Sequence, residues 1–206
     1  MISILCAFIQ PSFAYDPNTP HDHQGILKPI TQAPKPMSLS NEDHARLMQG
    51  EVILRSSKGD EGGRGVAIQY VQAPEAKVWD TILDYDKYPQ RVNNTKSAKV
   101  YKEEGSQISV ELISSIMGFS VGVYTINTVK KPEGYMSWTL DYSRQSDAYD
   151  MIGYWRVEQI LDNPPLTKLE YSTEVQLRGV PGFVASYLSQ GALKEGTQWV
   201  KTYAEQ

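Results

Sequence analysis

The residues of this chain that could do chemistry are few and scattered. Histidine occurs at His21, His23 and His44, and the only cysteine is Cys6. A catalytic nucleophile needs a neighbouring base and an orienting group. The sequence contains neither a Gly-x-Ser-x-Gly motif nor a cluster of residues with metal-ligand spacing. These residue types favour a binding protein over an enzyme, and no catalytic residue is assigned.

The segment His21-Asp22-His23 is the one grouping that suggests a metal. Two imidazoles at positions i and i+2 supply at most half of a zinc site. The surrounding segment is rich in proline and poor in apolar residues. We therefore interpret both histidines as part of a solvated linker, and we predict neither a metal nor another cofactor.

Two further groups of polar residues could recognise a ligand. Glu195 falls near the apolar face of a predicted C-terminal helix. It is either a buried acid or base, or part of a face that becomes wetter toward the end of the helix. Arg144 and Asp147, in a predicted turn, either bind a polar ligand head or form an ordinary surface ion pair.

Charge and composition argue against several classes of protein. The 206 residues carry a formal net charge of −4. Nucleic acid is a poor partner for such a chain, because phosphate binding needs a clustered basic face. No run of 18 apolar residues is present, so no membrane span is predicted. Hydrophobic residues make up 40% of the chain, which is ordinary for a globular domain.

The N-terminus is typical of an exported protein. Residues 2–9 are apolar, and Ser12-Phe13-Ala14 has the small-x-small spacing of a signal-peptidase site. We expect residues 1–14 to be a signal peptide and the protein to be secreted or periplasmic; the alternative is a frayed apolar terminus. Residues 15–37 contain five prolines and few apolar side chains, which predicts a disordered tether.

Hydrophobic patterning and turn signals divide the remaining chain into helices and strands. A short helix is expected after Ser40, followed by strands at 51–55 and 66–71. Ala73-Pro74 then turns the chain into a helix whose apolar face carries Trp79. Further elements are expected at 85–92 (helix), at 97–102, 107–114, 119–129, 135–142, 148–161 and 166–177 (strands), and from Pro181 to the C-terminus (helix).

Alternation along the last two strands assigns an inner and an outer face. In the strand at 166–177, Tyr171 and Thr173 face inward, whereas Lys168 and Glu170 face water. In the strand at 148–161, the predicted inner residues include Tyr149, Met151, Gly153 and Trp155. The short turns between these strands favour antiparallel hairpins.

The chain resembles the START-like superfamily, which includes birch-pollen-allergen-type proteins, polyketide cyclases and coenzyme Q-binding proteins. The residues that carry the resemblance are VQAPEAKVWDTILDYDKYPQRV from Val71 to Val92, the later GYWRVEQI, and the Pro-Gly-led final helix. The resemblance implies an α+β helix-grip fold, in which a curved antiparallel sheet wraps a long C-terminal helix. The domain would span 38–206, with its core at 66–206.

The resemblance also implies an internal cavity, and hence a protein that binds, or binds and transports, a lipid, sterol, quinone-like or aromatic molecule. The alternatives are a cyclase- or dehydratase-type enzyme acting on a polyketide-like substrate, and a ligand-free interaction module with a filled core. The expected ligand-binding residues are Trp138, Tyr149, Met151, Trp155, Tyr171, Thr173, Tyr187, Gly191, Glu195 and Arg144.

Apolar turn residues at one end of the predicted sheet suggest how a ligand enters. Successive turns of an antiparallel meander alternate between the two ends of the sheet. The turns at one end are charged or rich in proline, whereas two segments at the other end carry apolar residues. These six residues are expected to form a gate, or a patch that touches membrane or a donor protein. They are Ile116, Met117, Phe119, Val180, Pro181 and Phe183. The alternative is that they only cap the core.

Overall fold

The computed structural model describes residues 15–58, 63–116, 119–177 and 182–206, and the side chains of all these except 56–58, 63–64, 116, 119, 177 and 182–192. The helices in this part of the chain are α1 (Asn41–Met48), α2 (Glu75–Leu83), α3 (Tyr88–Arg91) and α4 (Gly182–Ala204), with short 3-10 turns at Tyr85–Lys87 and Lys131–Glu133. The strands are β1 (Ile53–Lys58), β2 (Gly63–Val71), β3 (Thr95–Glu104), β4 (Gln107–Ile116), β5 (Phe119–Lys130), β6 (Tyr135–Leu140), β7 (Ala148–Asp162) and β8 (Pro165–Leu177).

The strands form one curved antiparallel sheet in the order β1-β2-β8-β7-β6-β5-β4-β3. Strands β3 to β8 are a meander, and β2 closes the order by pairing with β8. Helix α4 contacts β2, β8 and α2, so it lies along the concave face. The predicted α+β helix-grip fold is confirmed, and each of the six predicted meander strands agrees with the structure within two residues at both ends. No helix among the described residues is long and apolar enough to cross a membrane.

Helix α2 closes one end of the core. Its Val78, Trp79 and Ile82 are at most 1% exposed. They pack in one cluster with residues of the inner sheet face and of α4, among them Leu169 and Val200. The apolar face predicted for this helix is therefore the face that holds it against the sheet and α4.

The outer face of β8 is covered, although its alternation predicts contact with water. Leu47 of α1 packs with Ile68 and Tyr70 on the outer side of β2, beside β8. Glu170 is 0% exposed and lies 3.1 Å from the Lys168 ammonium. The predicted solvent exposure of these two charges is wrong, because α1 and the segment before it form a second layer outside the sheet.

Residues 15–39 form a strap across the outer face of the sheet, rather than the predicted disordered tether. The backbone N–H groups of Ile26 and Leu27 both donate to the Asp150 carboxylate at 2.7 Å. The Ser137 hydroxyl donates to a strap carbonyl at 3.0 Å. Polar side chains of the sheet thus satisfy the strap's backbone, so its ordering does not depend on burying many apolar side chains.

His21 and His23 fasten the strap to β7. The Nε2 atoms of both rings lie within 2.8 Å of the Tyr149 carbonyl oxygen. Nδ1 of His23 accepts the backbone N–H of Gly25, so its Nε2 is the donor. The described residues include no group of three His, Cys, Asp or Glu side chains that could hold a metal. The two histidines therefore act here as strap-to-sheet hydrogen bonders.

Candidate ligand-binding cavity

A cavity of about 510 Å³ lies between the concave face of the sheet and α4. A volume of this size is typical of small-molecule sites. The sheet contributes lining residues from β4 to β8: Leu112, Ser114, Val121, Val123, Thr125, Asn127, Met136, Trp138, Ala148, Met151, Trp155, Tyr171, Thr173 and Val175. Thr95 at the start of β3 also lines the cavity, and the helices and their connections contribute the others: Tyr85, Tyr88, Arg91, Val92, Asn93, Asn94, Glu195, Gly196, Gln198, Trp199, Thr202 and Tyr203.

Aromatic rings form one wall of the cavity. Tyr171 stands at its centre, with the ring of Trp155 at 4.4 Å and the ring of Trp138 at 5.8 Å, centroid to centroid. Trp199 of α4 meets Tyr88 edge-on at 5.0 Å and extends the wall toward α3. Such rings offer flat apolar surfaces to a ligand at low cost in side-chain entropy.

Two glycines make room for this wall. A Cβ at Gly153 would lie 2.1 Å from Cζ2 of Trp138, so only glycine lets the indole lie flat on β7. A Cβ at Gly196 would lie 2.6 Å from Cε1 of Tyr171. Gly196 therefore allows α4 to pack closely against the ring of Tyr171 on β8.

The aromatic wall carries one polar group without a partner. The indole N–H of Trp138 is buried and has no hydrogen-bond partner among the described residues. The phenol of Tyr171 stays neutral at physiological pH, because burial raises its pKa to about 12 despite a hydrogen bond with Thr173. Burial likewise raises the pKa of Tyr88 well above its usual value. The aromatic wall is therefore uncharged, and the indole N–H of Trp138 is not exposed to the cavity.

Among the described residues, charged and polar side chains lie at the opening of the cavity. Asn93, Asn94 and Glu195 are exposed members of the lining. Arg91 forms an ion pair with Asp84 at 2.9 Å and lies over the ring of Tyr203 at 5.2 Å. Sequence reasoning missed Arg91 because nothing in a short Pro-containing helix shows that its last residue borders a cavity.

Six of the predicted ligand-binding residues line the cavity together: Trp138, Met151, Trp155, Tyr171, Thr173 and Glu195. Glu195 lies at the opening and is exposed, so the wetter-face alternative describes it. Tyr187 and Gly191 lie outside the residues whose side chains are described. The gate residues Ile116, Met117, Phe119, Val180, Pro181 and Phe183 fall outside them as well.

The prediction for Tyr149 is wrong because β7 contains a β-bulge. Ala148 pairs with Leu177 and Asp150 pairs with Gln176, so the strand register shifts by one residue at Tyr149. The extra residue shifts the alternation, and the Tyr149 ring faces the strap, 4.4 Å from the ring of His23. Ala148 takes the expected place in the cavity lining.

The prediction for Arg144 is also wrong. Its guanidinium lies over the rings of Tyr101 and Tyr124, at 4.2 and 5.3 Å from their centroids. Val123 and Thr125 line the cavity, so Tyr124 between them faces outward. Arg144 pairs with Asp141 at 3.7 Å. It thus belongs to the outer face and not to the ligand site.

Comparison with known proteins places the chain in a family. Residues 71–193 match the family model described as polyketide cyclase / dehydrase and lipid transport. The chain belongs to this family. The matched residues run from the end of β2 into α4 and contain most of the cavity lining. The START-like resemblance seen in the sequence is thereby confirmed, whereas a search of curated proteins found no match.

Solved structures share the fold at low sequence identity. A START superfamily protein from Mycobacterium smegmatis is 19% identical, with a TM-score of 0.59 over 70% of this chain and 98% of that one. A STAR-related lipid transfer protein from Xanthomonas axonopodis is 12% identical, with a TM-score of 0.56 over 74% and 99%. The di-domain ARO/CYC protein BexL is 12% identical, with a TM-score of 0.51 over 69% and 50%.

Proposed function

We propose that this protein binds a hydrophobic small molecule in the cavity between the sheet and α4, and that it carries the molecule rather than transforming it. The observation that carries the proposal is the 510 Å³ cavity with its wall of Trp138, Tyr171 and Trp155. A chain that needed only a core would fill this volume, because protein interiors pack without large voids. The family description, which includes lipid transport, agrees with this function.

The wall also favours a particular kind of ligand. Stacked rings suit a flat or ring-containing molecule. The proposed ligand therefore has an apolar ring system that lies against the rings of Trp138, Tyr171 and Trp155.

Native mass spectrometry of protein purified from its source, followed by organic extraction, tests this function. The expected result is a single adduct on each chain that extraction removes and that proves apolar on analysis. A chain that carries no adduct and also takes up none when incubated with its source's lipid extract would contradict the proposal.

A cyclase- or dehydratase-type activity is the second candidate. The family description includes both reactions, and the BexL likeness agrees with it. Glu195 is the one carboxyl in the described cavity lining, and it lies at the opening. If the protein is such an enzyme, Glu195→Gln should abolish turnover of a polyketide-like substrate and leave binding intact. Activity that survives this change would remove Glu195 as the acid or base.

Ligand exchange is proposed to occur at the end of the sheet where β4 meets β5. Ser115 N–H donates to the carbonyl of Asn94, so this hairpin end lies beside the cavity opening. The apolar turn residues Met117 and Phe183 would there touch a membrane or a donor protein. Changing both to Asp should slow transfer of a fluorescent lipid between vesicles while the melting temperature stays nearly constant. A large loss of stability without a transfer defect would assign them to the core.

A further inference from the structure

The side chain of Tyr15, the first residue of the strap, packs into a defined site on the outer face of the sheet. Its ring stacks on Tyr124 with centroids 4.9 Å apart and planes within 3°. Its hydroxyl donates to the Glu111 carboxylate. Gly122 provides the space, because a Cβ there would lie 2.3 Å from Cδ2 of Tyr15. Three neighbours thus hold this one side chain in place.

Asp147 lies next to the backbone of Tyr15. Oδ2 of Asp147 accepts the N–H of Gly122 at 2.7 Å, and the Asp147 N–H donates to the Gly122 carbonyl at 2.9 Å. Asp16 and Gln145 exchange two backbone hydrogen bonds of 3.0–3.1 Å. This bridge fixes the start of the strap beside the Asp147 carboxylate.

The Asp147 carboxylate lacks a partner that an ammonium would supply. Its Oδ1 is buried and has no hydrogen-bond partner among the described residues. Burial raises the pKa of Asp147, while the backbone N–H groups of Gly122 and Tyr15 act to lower it. The peptide N–H of Tyr15 supplies a single donor to this carboxyl. A free α-ammonium has three donors that rotate together, and it adds a positive charge.

The sequence places a cleavage signal where this ammonium would form. Ser12-Phe13-Ala14 has the spacing of a signal-peptidase site. We propose that the chain is cleaved between Ala14 and Tyr15, and that the outer face carries a binding site for the new N-terminus. Water hydrolyses the Ala14–Tyr15 amide under the action of a signal peptidase. Ala14 leaves with the new carboxylate, and the Tyr15 ammonium pairs with Asp147.

Such a site would couple processing to the attachment of the strap. The strap is held at Asp150 midway and at Glu170 near its end. The contacts of Tyr15 add an attachment at its beginning. Cleavage would therefore complete the outer layer of the domain, independently of what the cavity binds.

Thermal stability of three forms of the protein tests the pairing. They are the full chain, the chain that begins at Tyr15 with a free amine, and the same chain with that amine acetylated. The free amine should raise the melting temperature by about 2–4 °C over the acetylated form. Asp147→Asn should abolish the difference, because Asn keeps an acceptor for Gly122 but no charge. Asp162→Asn, which removes an exposed charge elsewhere, should preserve it. Equal melting temperatures, or a difference that survives Asp147→Asn, would overturn the proposal.

Two further measurements do not depend on melting. The Tyr15 amine should react with an acylating reagent at neutral pH several-fold more slowly than it does in Asp147→Asn. The ion pair with Asp147 keeps the amine protonated, and only the unprotonated amine reacts. Equal rates would refute the pairing. N-terminal sequencing of protein from its native source should give Tyr15 first, and any other first residue would refute the cleavage site.

Discussion

At the scale of single residues, Trp138 gives the cavity a flat apolar surface. Its ring lines the cavity and lies 5.8 Å from the ring of Tyr171, centroid to centroid. Trp138→Leu keeps an apolar side chain and removes the flat ring. Affinity for fluorene should fall about 2- to 10-fold, because an aromatic pair contributes about 0.5–1.5 kcal/mol beyond its buried area. Equilibrium dialysis measures this affinity. An unchanged affinity would show that the ring of Trp138 does not contact the ligand.

Trp155 is expected to contribute stability as well as a binding surface. It is 5% exposed and packs against Tyr171 at 4.4 Å and Trp199 at 6.5 Å. Trp155→Ala should lower the free energy of unfolding by about 3–5 kcal/mol, because it removes a buried ring and enlarges an existing cavity. Urea denaturation measures this loss. A variant as stable as the parent would mean that the ring contributes little to the core.

At the scale of elements, the strap depends on Asp150. Burial acts to raise the pKa of this carboxyl, but hydrogen bonds from Leu27, Tyr142, Ile26 and Met151 outweigh it, and the pKa lies below the usual 3.8. Because folding lowers the pKa of Asp150, the ionised carboxylate stabilises the folded state fully above pH 3.8. This stabilisation is lost as the pH falls through the lower pKa of the folded protein.

Asp150→Asn tests this dependence. The variant should be less stable than the parent at neutral pH by roughly 2 kcal/mol, since charged acceptors bind N–H groups more strongly. The difference should shrink below pH 3.8, where the parent carboxyl becomes protonated and resembles the amide. Denaturant titrations over this pH range measure it, with Asp162→Asn as the control on an exposed strand end. A difference that does not depend on pH would contradict this account of the carboxylate.

The individual helices, strands and strap show which parts of the structure the sequence could predict and which it could not. The apolar face of α2 and the alternation of β8 appear in local spacing, so the elements and most of the inner face were predicted correctly. The bulge at Tyr149 depends on how β7 pairs with β8, which local alternation does not contain. The strap was missed because Ser137, Asp150 and Glu170 have the pattern of residues that face water, whereas they serve as partners for another layer of backbone.

At the scale of the whole molecule, the fold separates two roles onto two faces of one sheet. The concave face and α4 enclose the cavity, while α1 and the strap cover the convex face. In the sequence, the family resemblance implied the first arrangement, and most of the predicted ligand-binding residues were aromatic. The cavity volume was not predictable, because it depends on where α4 lies relative to Tyr171 and Trp138, and tertiary packing sets that position.

A binding measurement on a cavity-filling variant tests the central claim most directly. Val123 lines the cavity on β5, so Val123→Trp would fill part of it. Val100 is 37% exposed on β3 and does not line the cavity, so Val100→Trp is the matched control. Equilibrium dialysis of fluorene against the delipidated proteins should show one saturable site in the parent and in Val100→Trp, and a loss of at least about tenfold in affinity in Val123→Trp. Saturable binding that is equal in all three proteins, or absent from the parent, would contradict a ligand-binding cavity between the sheet and α4.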